Sequence, residues 1–198
     1  MHENTVKRLE RMIFTTSPPN AASHSCAVVF DKKHAVSFAH GSHSQLKEAE
    51  IIYLYNVLNP DVKVEVTVKA ISKLYDVAVF EIRTGVFPDV PRDNDTYCGA
   101  EYKQLGVDSK RELTWNSGVV VEKRRCNFYG TSQGKQGDSG SGLYDDNGRF
   151  IGISIRMEDF AFPNLSNMTI QETAYHTPDT KIVSCNMIVF VAGIVDPD

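Results

Sequence analysis

The chain contains, at residues 133–143, a glycine-rich stretch that encloses one serine: Gln133-Gly134-Lys135-Gln136-Gly137-Asp138-Ser139-Gly140-Ser141-Gly142-Leu143. Glycines on both sides of Ser139 give the backbone access to turns that a residue with a Cβ disfavours. Such turns let the serine hydroxyl stand exposed and let neighbouring N–H groups point in one direction, which is the geometry of an oxyanion hole. The stretch therefore predicts a nucleophilic Ser139, with the N–H groups of Gly137 and Ser139 as the oxyanion donors. A glycine-rich hairpin loop without chemistry is the alternative interpretation.

A serine hydroxyl is a weak nucleophile and needs a general base beside it. The chain has six histidines, and His40 directly follows the apolar segment Ala35-Val36-Ser37-Phe38-Ala39. This segment is typical of a buried strand, and a strand end is a rigid platform from which an imidazole can be aimed. His40 is therefore the predicted base, and His43, three residues further along, is the alternative.

The base in turn needs a buried carboxylate that fixes its tautomer and stabilises the imidazolium. Asp76 stands at the start of the apolar run Asp76-Val77-Ala78-Val79-Phe80, where an unpaired carboxylate is costly. Asp76 is the predicted partner of His40, with Asp61 and Asp31 as alternatives. The predicted site residues follow one another along the chain in the order histidine, aspartate, serine.

The rest of the chain favours β-structure. Short apolar or alternating runs between turn residues predict strands at 26–30, 35–39, 51–55, 62–71, 77–82, 118–122, 142–144, 150–155 and 182–191. Apolar residues at helical spacing predict a short helix within residues 1 to about 13. Residues 84–112 are poor in strand signals and are interpreted as the connection between two halves. The pattern indicates an all-β barrel or sandwich.

Three motifs resemble those of the chymotrypsin-fold (trypsin-like) serine proteases, in the broad sense that includes non-secreted and viral members. They are the Gly-Asp-Ser-Gly motif at 137–140, the strand-end Ala-His pair at 39–40, and an Asp-Ile-Ala-Leu-type strand at 76–79. The hairpin after the serine, which ends in residues 150–155, is similar to the family's substrate-binding strand. The resemblance extends from about residue 24 to residue 157.

The resemblance implies two six-stranded antiparallel β-barrels with a short N-terminal helix before them. It divides the chain into an N-terminal segment (1–23), a barrel that carries the histidine and the aspartate (24–90), and a barrel that carries the serine, the oxyanion hole and the S1 pocket (110–198). The implied activity is that of a serine endopeptidase, which hydrolyses peptide bonds through an acyl-enzyme. It needs a polypeptide substrate but neither a cofactor nor a metal.

The substrate pocket also follows from the resemblance. In this family the residue six positions before the nucleophile lies at the base of the S1 pocket, and that residue is Gln133. Ser154, Ile155 and Arg156 are expected along the wall. An amide does not select Lys or Arg through charge pairing as an aspartate does. A neutral, medium-sized side chain is therefore expected before the cleaved bond.

The chain departs from the secreted family members in two respects. Gly41 and Lys135 stand where those members often have cysteines, so their disulfides are missing. No Ile-Val-Gly-Gly sequence is present either, which is the N-terminus that activation cleavage creates in zymogens. The sequence therefore predicts a protease that is competent without that cleavage, with Asp138 satisfied by another partner.

Composition excludes several classes of function. With 25 acidic and 21 basic residues the net charge is −4, which argues against a dedicated binder of nucleic acid or anionic membranes. No apolar run approaches 18 residues, and the charged N-terminus lacks a signal core. A cytoplasmic or otherwise intracellular protein with four reduced cysteines is expected. No Cys-x-x-Cys pair is present, and the looser cluster of His24, Cys26, His40 and His43 is more typical of adjacent strands than of metal ligands, so no zinc site is predicted.

Two classes of function remain open. The first is the serine endopeptidase, either cellular or cut from a viral polyprotein. The second is a pseudoprotease, in which the same fold acts as a binding or scaffold module. The intact order of His40, Asp76 and Ser139 favours the enzyme.

Overall fold

The first six strands close into an antiparallel barrel. A computed structural model describes residues 1–132, 138–157 and 180–194. The strands of this first barrel are β1 (Ile13–Thr15), β2 (Cys26–Val29), β3 (His34–Phe38), β4 (Ile51–Asn56), β5 (Lys63–Ser72) and β6 (Val77–Ile82). They are hydrogen-bonded in the order β1-β2-β3-β6-β5-β4, and pairing of β1 with β4 closes the barrel. Strands β2 and β3 are buried along their whole length, so neither strand alternates between buried and exposed positions.

The next six strands form a second closed barrel. They are β7 (Glu101–Val107), β8 (Leu113–Arg124), β9 (Asn127–Gly130), β10 (Gly142–Tyr144), β11 (Phe150–Met157) and β12 (Thr180–Ser184). Their order is β10-β11-β12-β9-β8-β7, and β10 pairs with β7. Two six-stranded antiparallel barrels after a short N-terminal helix, α1 (Glu3–Glu10), confirm the predicted fold class.

The prediction of one strand over residues 182–191 was wrong. The strand β12 ends at Ser184, and helix α2 (Cys185–Ala192) follows at once. Residues 188–191 of α2, half of the helix, are all β-branched or aromatic, which is why the local pattern indicated a strand. Packing favours the helix, because Ile188 and Ala192, one helical turn apart, are both buried in the core. Gly193, with φ +63°, ends the helix in the left-handed conformation that glycine adopts readily.

Residues 84–112, which were interpreted as a connection poor in strands, contain the seven-residue strand β7. This strand lacks a clean apolar alternation, since its inward-facing Gln104 is polar and fully buried. The side chain of Gln104 is held inside the barrel by the hydroxyl of Ser132, which also contacts the hydroxyls of Tyr102 and Thr180. Because this polar network lies inside the barrel, β7 lacks the apolar alternation from which a strand is predicted.

The barrels also begin earlier than residues 24 and 110. Strand β1 lies at Ile13–Thr15, and although it has only three residues, it pairs with both β2 and β4. The second barrel begins with β7 at Glu101. A three-residue strand is too short to show a period, so only its pairing partners reveal it.

One continuous apolar core joins the two barrels. The larger cluster of buried side chains combines Phe80 and Val36 of the first barrel with Leu105, Phe150 and Ile153 of the second. At its edge, the guanidinium of Arg111 in the β7–β8 hairpin donates to the Asn56 carbonyl at 2.8 Å. Because the two barrels share this core, their relative position is fixed, and so is the cleft between them.

Candidate active site

Strand pairing brings His40 and Asp76 together. Strands β3 and β6 are antiparallel neighbours, and Phe38 at the end of β3 stands opposite Val77 at the start of β6. His40 follows β3 by two residues, and Asp76 immediately precedes β6. Residues 36 positions apart in sequence therefore share one edge of the first barrel.

The carboxylate of Asp76 is held by two hydrogen bonds. One oxygen, Oδ2, lies 2.6 Å from Nδ1 of His40, and the other, Oδ1, accepts the backbone N–H of Ala39 at 3.1 Å. An ionised carboxylate can only accept, so Nδ1 of His40 carries the proton and Nε2 is left with its lone pair. Asp76 has φ +59°, a left-handed conformation that aspartate tolerates better than most residues.

Ser139 lies on the second barrel and faces the free nitrogen of His40. Its Oγ is 3.5 Å from Nε2 of His40. The hydroxyl also donates to the backbone carbonyl of Ile155 at 3.2 Å. Because an optimal hydroxyl hydrogen bond is about 2.7–2.8 Å long, the contact with His40 is loose in this state.

The Ile155 carbonyl reaches Ser139 because β11 carries a bulge. Ser154 pairs with Ile182 and Arg156 pairs with Lys181, so Ile155 has no partner on β12. An unpaired bulge residue is turned away from the ladder and bends the strand. The bulge therefore leaves the backbone of Ile155 free to face the cleft.

The segment around Ser139 is fixed by its neighbours. The N–H of Gly140 donates to the Ser154 carbonyl at 2.7 Å, and the N–H of Ser154 donates to the Ser141 carbonyl at 2.9 Å. Gly140 has φ +86°, and a Cβ there would clash with the backbone carbonyl oxygen of Cys26. Glycine at position 140 thus lets the serine turn approach the first barrel closely.

His43, the alternative base, has a different environment. Its ring is buried, Nδ1 lies 2.8 Å from the Phe38 carbonyl oxygen, and Nε2 lies 2.7 Å from Oγ1 of Thr16. Both ring nitrogens are therefore used within the first barrel, and the ring of Phe38 lies between it and the ring of His40. This arrangement fits a structural role for His43.

Burial lowers the pKa of His43, and the hydrogen bond with the Phe38 carbonyl, which raises it, offsets this only in part. A histidine whose pKa is lower in the folded chain stabilises the fold above its unfolded pKa of 6.5. That stabilisation is lost as the pH falls through the folded pKa. Urea unfolding at pH 7.5 and pH 5.5 is expected to show a larger loss of stability for the wild type than for His43→Gln. An equal or larger loss for His43→Gln would contradict this structural role.

The alternative acids lie elsewhere. Asp31 is 2.7 Å from Nδ1 of His34 and caps the turn between β2 and β3, where it accepts two backbone N–H groups. Asp61 is exposed in the turn between β4 and β5. Among the three candidate acids, only Asp76 is bonded to His40.

The predicted substrate-side residues are described in part. Gln133 and Gly137 lie outside the described residues, and Arg156 is described only in its backbone. Ser154 is buried, and both of its backbone groups are bonded to the serine segment. Ile155 presents its carbonyl to Ser139, as described above.

Two contributions to the site had no signal in the sequence. The N–H of Ala39 anchors Asp76, and the ring of Phe38 lies against the His40 imidazole with centroids 4.4 Å apart. Both depend on the backbone conformation at the end of β3, which the residue types there do not predict.

Residues 1–132, 138–157 and 180–194 contain no group of three or more His, Cys, Asp or Glu side chains arranged to hold a metal ion. Neither α1 nor α2, nor any other helix in these ranges, is long and apolar enough to cross a membrane.

The comparisons with known proteins concern the fold. No protein-family model matches the sequence, and no curated protein matches it. Among solved structures, the inactive form of the Rv3671c protease from M. tuberculosis is 16% identical, with a TM-score of 0.68 over 98% of this chain and 93% of that one. A serine endoprotease from Yersinia pestis is 15% identical, with a TM-score of 0.71 over 98% of this chain and 66% of that one. The fold is that of the chymotrypsin-like serine proteases.

A third chymotrypsin-like structure extends the comparison. The MamO protease domain from Magnetospirillum magneticum is 12% identical, with a TM-score of 0.64 over 93% of this chain and 97% of that one. Identities of 12–16% carry the fold alone. Activity has to be argued from the side chains in the cleft, because one fold can host many functions.

Proposed function

We propose that the protein is a serine endopeptidase with Ser139 as nucleophile, His40 as general base and Asp76 as the residue that orients the base. One observation carries the proposal. The three side chains form a continuous series, with 2.6 Å from Asp76 to His40 and 3.5 Å from His40 to Ser139, across the cleft between two chymotrypsin-like barrels. Residues from three distant parts of the chain thus converge in the order that acyl transfer requires.

The proposed reaction has two halves. In the first, Nε2 of His40 takes the Ser139 proton while Oγ attacks the peptide carbonyl, and the imidazolium then gives that proton to the leaving amine. The acyl-enzyme remains on Ser139. In the second half, a water molecule gives a proton to Nε2 of His40 and attacks the ester, and the imidazolium returns that proton to Oγ of Ser139 as the acid leaves.

Asp76 acts on this reaction through His40. Its hydrogen bond fixes the tautomer in which Nε2 accepts, and its negative charge stabilises the imidazolium in both halves. The second bond, from the Ala39 N–H, keeps the carboxylate from rotating away. Asp76 thus stays aligned with His40 through both halves of the reaction.

The proposed oxyanion hole uses the N–H groups of Ser139 and Gly137. Their roles rest on the resemblance of the Gly-Asp-Ser-Gly motif, and Gly137 is outside the described residues. For the substrate side, the same resemblance gives Gln133 at the base of the S1 pocket and a neutral, medium-sized side chain before the cleaved bond. Ile155 offers a backbone carbonyl beside Ser139, in the position to accept an N–H of bound peptide.

A fluorophosphonate probe tests the proposal without knowledge of the substrate. The probe phosphonylates only an activated serine, so the wild-type protein is expected to be labelled and Ser139→Ala is expected not to be. Ser141→Ala is the matched control, because Ser141 is fully buried two residues away. Labelling should therefore persist in that variant.

A binding module with the same fold is the second candidate. One observation favours it, namely that the Ser139 hydroxyl donates to Ile155 and lies 3.5 Å from His40. The labelling experiment separates the two candidates. Folded wild-type protein that resists the probe between pH 7 and pH 9 would contradict the enzyme and leave the binding module.

A further inference from the structure

A large apolar cavity opens at one end of the first barrel. Its volume is about 520 Å³, within the range of about 300–1,000 Å³ that is usual for ligand sites. Its walls come from β1, β5, the β4–β5 turn and the segment after β6, and they are mainly apolar, with Met12, Phe14, Leu58, Val62, Val86 and Phe87 among them. Apolar walls hold water poorly, so a space of this size and composition suits an apolar ligand.

The cavity is remote from the candidate active site. Strand β6 begins next to Asp76 and ends at Ile82, which lines the cavity. Six residues of extended chain span about 20 Å. The two features therefore occupy opposite ends of the first barrel, and the proposed chemistry makes no use of the cavity.

Exposed apolar side chains surround the opening. Leu58, Val62 and Val86 have 52%, 44% and 53% of their surface exposed, which is high for residues of this type. All three belong to the cavity lining. Exposed apolar side chains that cluster around a concave site, rather than scatter singly, mark interaction surfaces.

The polar groups at the opening form a pair of opposite charge. Nε of Arg11 donates to Oδ2 of Asp89 at 3.1 Å. The Nη groups of Arg11 and Oδ1 of Asp89 have no partner in the described part of the chain. In the side chain of Asn56, by contrast, both polar atoms are hydrogen-bonded, since Nδ2 donates to the Arg11 carbonyl and Oδ1 accepts the Asn59 N–H. The opening thus offers a free donor beside a free acceptor, with no net charge.

The paired charges at the opening favour an uncharged polar group over a charged one. A fatty-acid carboxylate at Arg11 would also face Asp89, and an alkylammonium at Asp89 would face Arg11, so each meets repulsion. A peptide backbone carries an uncharged acceptor and an uncharged donor within one residue. It can offer a carbonyl to Arg11 and an N–H to Asp89 while its side chains enter the apolar space.

We propose that this cavity binds an apolar segment of the polypeptide substrate, as an exosite separate from the catalytic cleft. The substrate role rests on the proposed function, and the peptide-binding role does not. An exosite of this kind adds affinity for long substrates through a second contact. Short peptides that fill only the cleft gain nothing from it.

Binding is measured first on Ser139→Ala, so that no hydrolysis is needed. The probe is acetyl-Gly-Leu-Phe-Leu-Gly-amide, and its polar counterpart is acetyl-Gly-Ser-Asn-Ser-Gly-amide. Titration followed by ¹H–¹⁵N NMR is expected to shift the amides of cavity residues with the apolar peptide only. Adding Val86→Glu is expected to weaken binding at least about tenfold, a difference of about 1.4 kcal/mol. Adding Val121→Glu, which changes a similarly exposed valine of the second barrel, is expected to leave binding unchanged.

Three results would overturn the binding site: no shifts at the cavity, equal sensitivity to Val121→Glu, or tighter binding of dodecanoate or dodecylammonium than of the apolar peptide. The last result would mean that the ligand is lipid-like.

Kinetics then test the exosite. Val86→Glu is expected to raise KM for a protein substrate and to leave kcat and the hydrolysis of short peptides unchanged. An unchanged KM would contradict the exosite. Binding without any hydrolysis by the wild type would instead contradict the proposed catalysis and leave the peptide site supported.

Discussion

Replacing Ser139 with alanine is expected to lower kcat by a factor on the order of 10⁶, and replacing His40 with alanine is expected to lower it by a similar factor. Each change removes the same event, because the serine cannot attack unless its proton is taken. Oγ of Ser139 and Nε2 of His40 are 3.5 Å apart and face each other across the cleft. The measurement is turnover of a peptide chosen by N-terminal mapping of the products from a protein mixture.

The variant that combines Ser139→Ala and His40→Ala tests whether the two residues act together. Two residues that act as one unit give grossly non-additive effects, so Ser139→Ala with His40→Ala should be about as slow as either single variant. Residues that acted independently would multiply their effects. Additive losses in transition-state free energy, or a His40→Ala variant within tenfold of the wild type, would contradict the proposed proton transfer between them.

A matched control guards against a general disturbance of the first barrel. His34 is also near a strand end and is also bonded to an aspartate, Asp31, at 2.7 Å. It lies at the opposite end of β3 from the cleft. His34→Ala is therefore expected to keep kcat close to the wild-type value. A large loss in that variant would show that the barrel itself, rather than the imidazole of His40, limits the reaction.

The fold was predictable from the sequence because three motifs occur in a fixed order and each stands at a strand edge. The two closed barrels followed from that order and not from the strand pattern. The pattern alone missed β7, whose inward Gln104 is polar, and the short strands β1 and β9, which have three and four residues. It also read α2 as a strand, since burial of Ile188 and Ala192 overrides the β-propensity of their neighbours.

The candidate site divides in a similar way. His40 and Asp76 were predictable as neighbours because each marks the end of an apolar run, and antiparallel pairing of those runs brings the ends together. The Ile155 carbonyl was not predictable as a partner of Ser139, because it depends on a register shift between β11 and β12. A bulge arises from how two strands are paired, and one strand's sequence does not contain it.

Replacing Asp76 with asparagine is expected to lower kcat by about 10⁴ while the fold stays intact. The asparagine amide can donate to Nδ1 of His40, which moves the imidazole proton to Nε2. Nε2 then cannot accept the Ser139 proton. The backbone is expected to tolerate the change, because asparagine readily adopts the left-handed conformation that Asp76 has at φ +59°. Its Oδ1 can still accept the Ala39 N–H, so the midpoint of thermal unfolding should change little.

Asp31→Asn is the matched control for the tautomer effect, since it alters the same kind of aspartate–histidine pair away from the cleft. It is expected to leave kcat unchanged, whereas Asp76→Asn is expected to lose turnover and keep its circular dichroism spectrum. A loss of kcat in both variants would point to barrel stability rather than to the tautomer of His40. An Asp76→Asn variant within tenfold of wild-type kcat would mean that His40 does not need the carboxylate, and the proposed role of Asp76 would then be wrong.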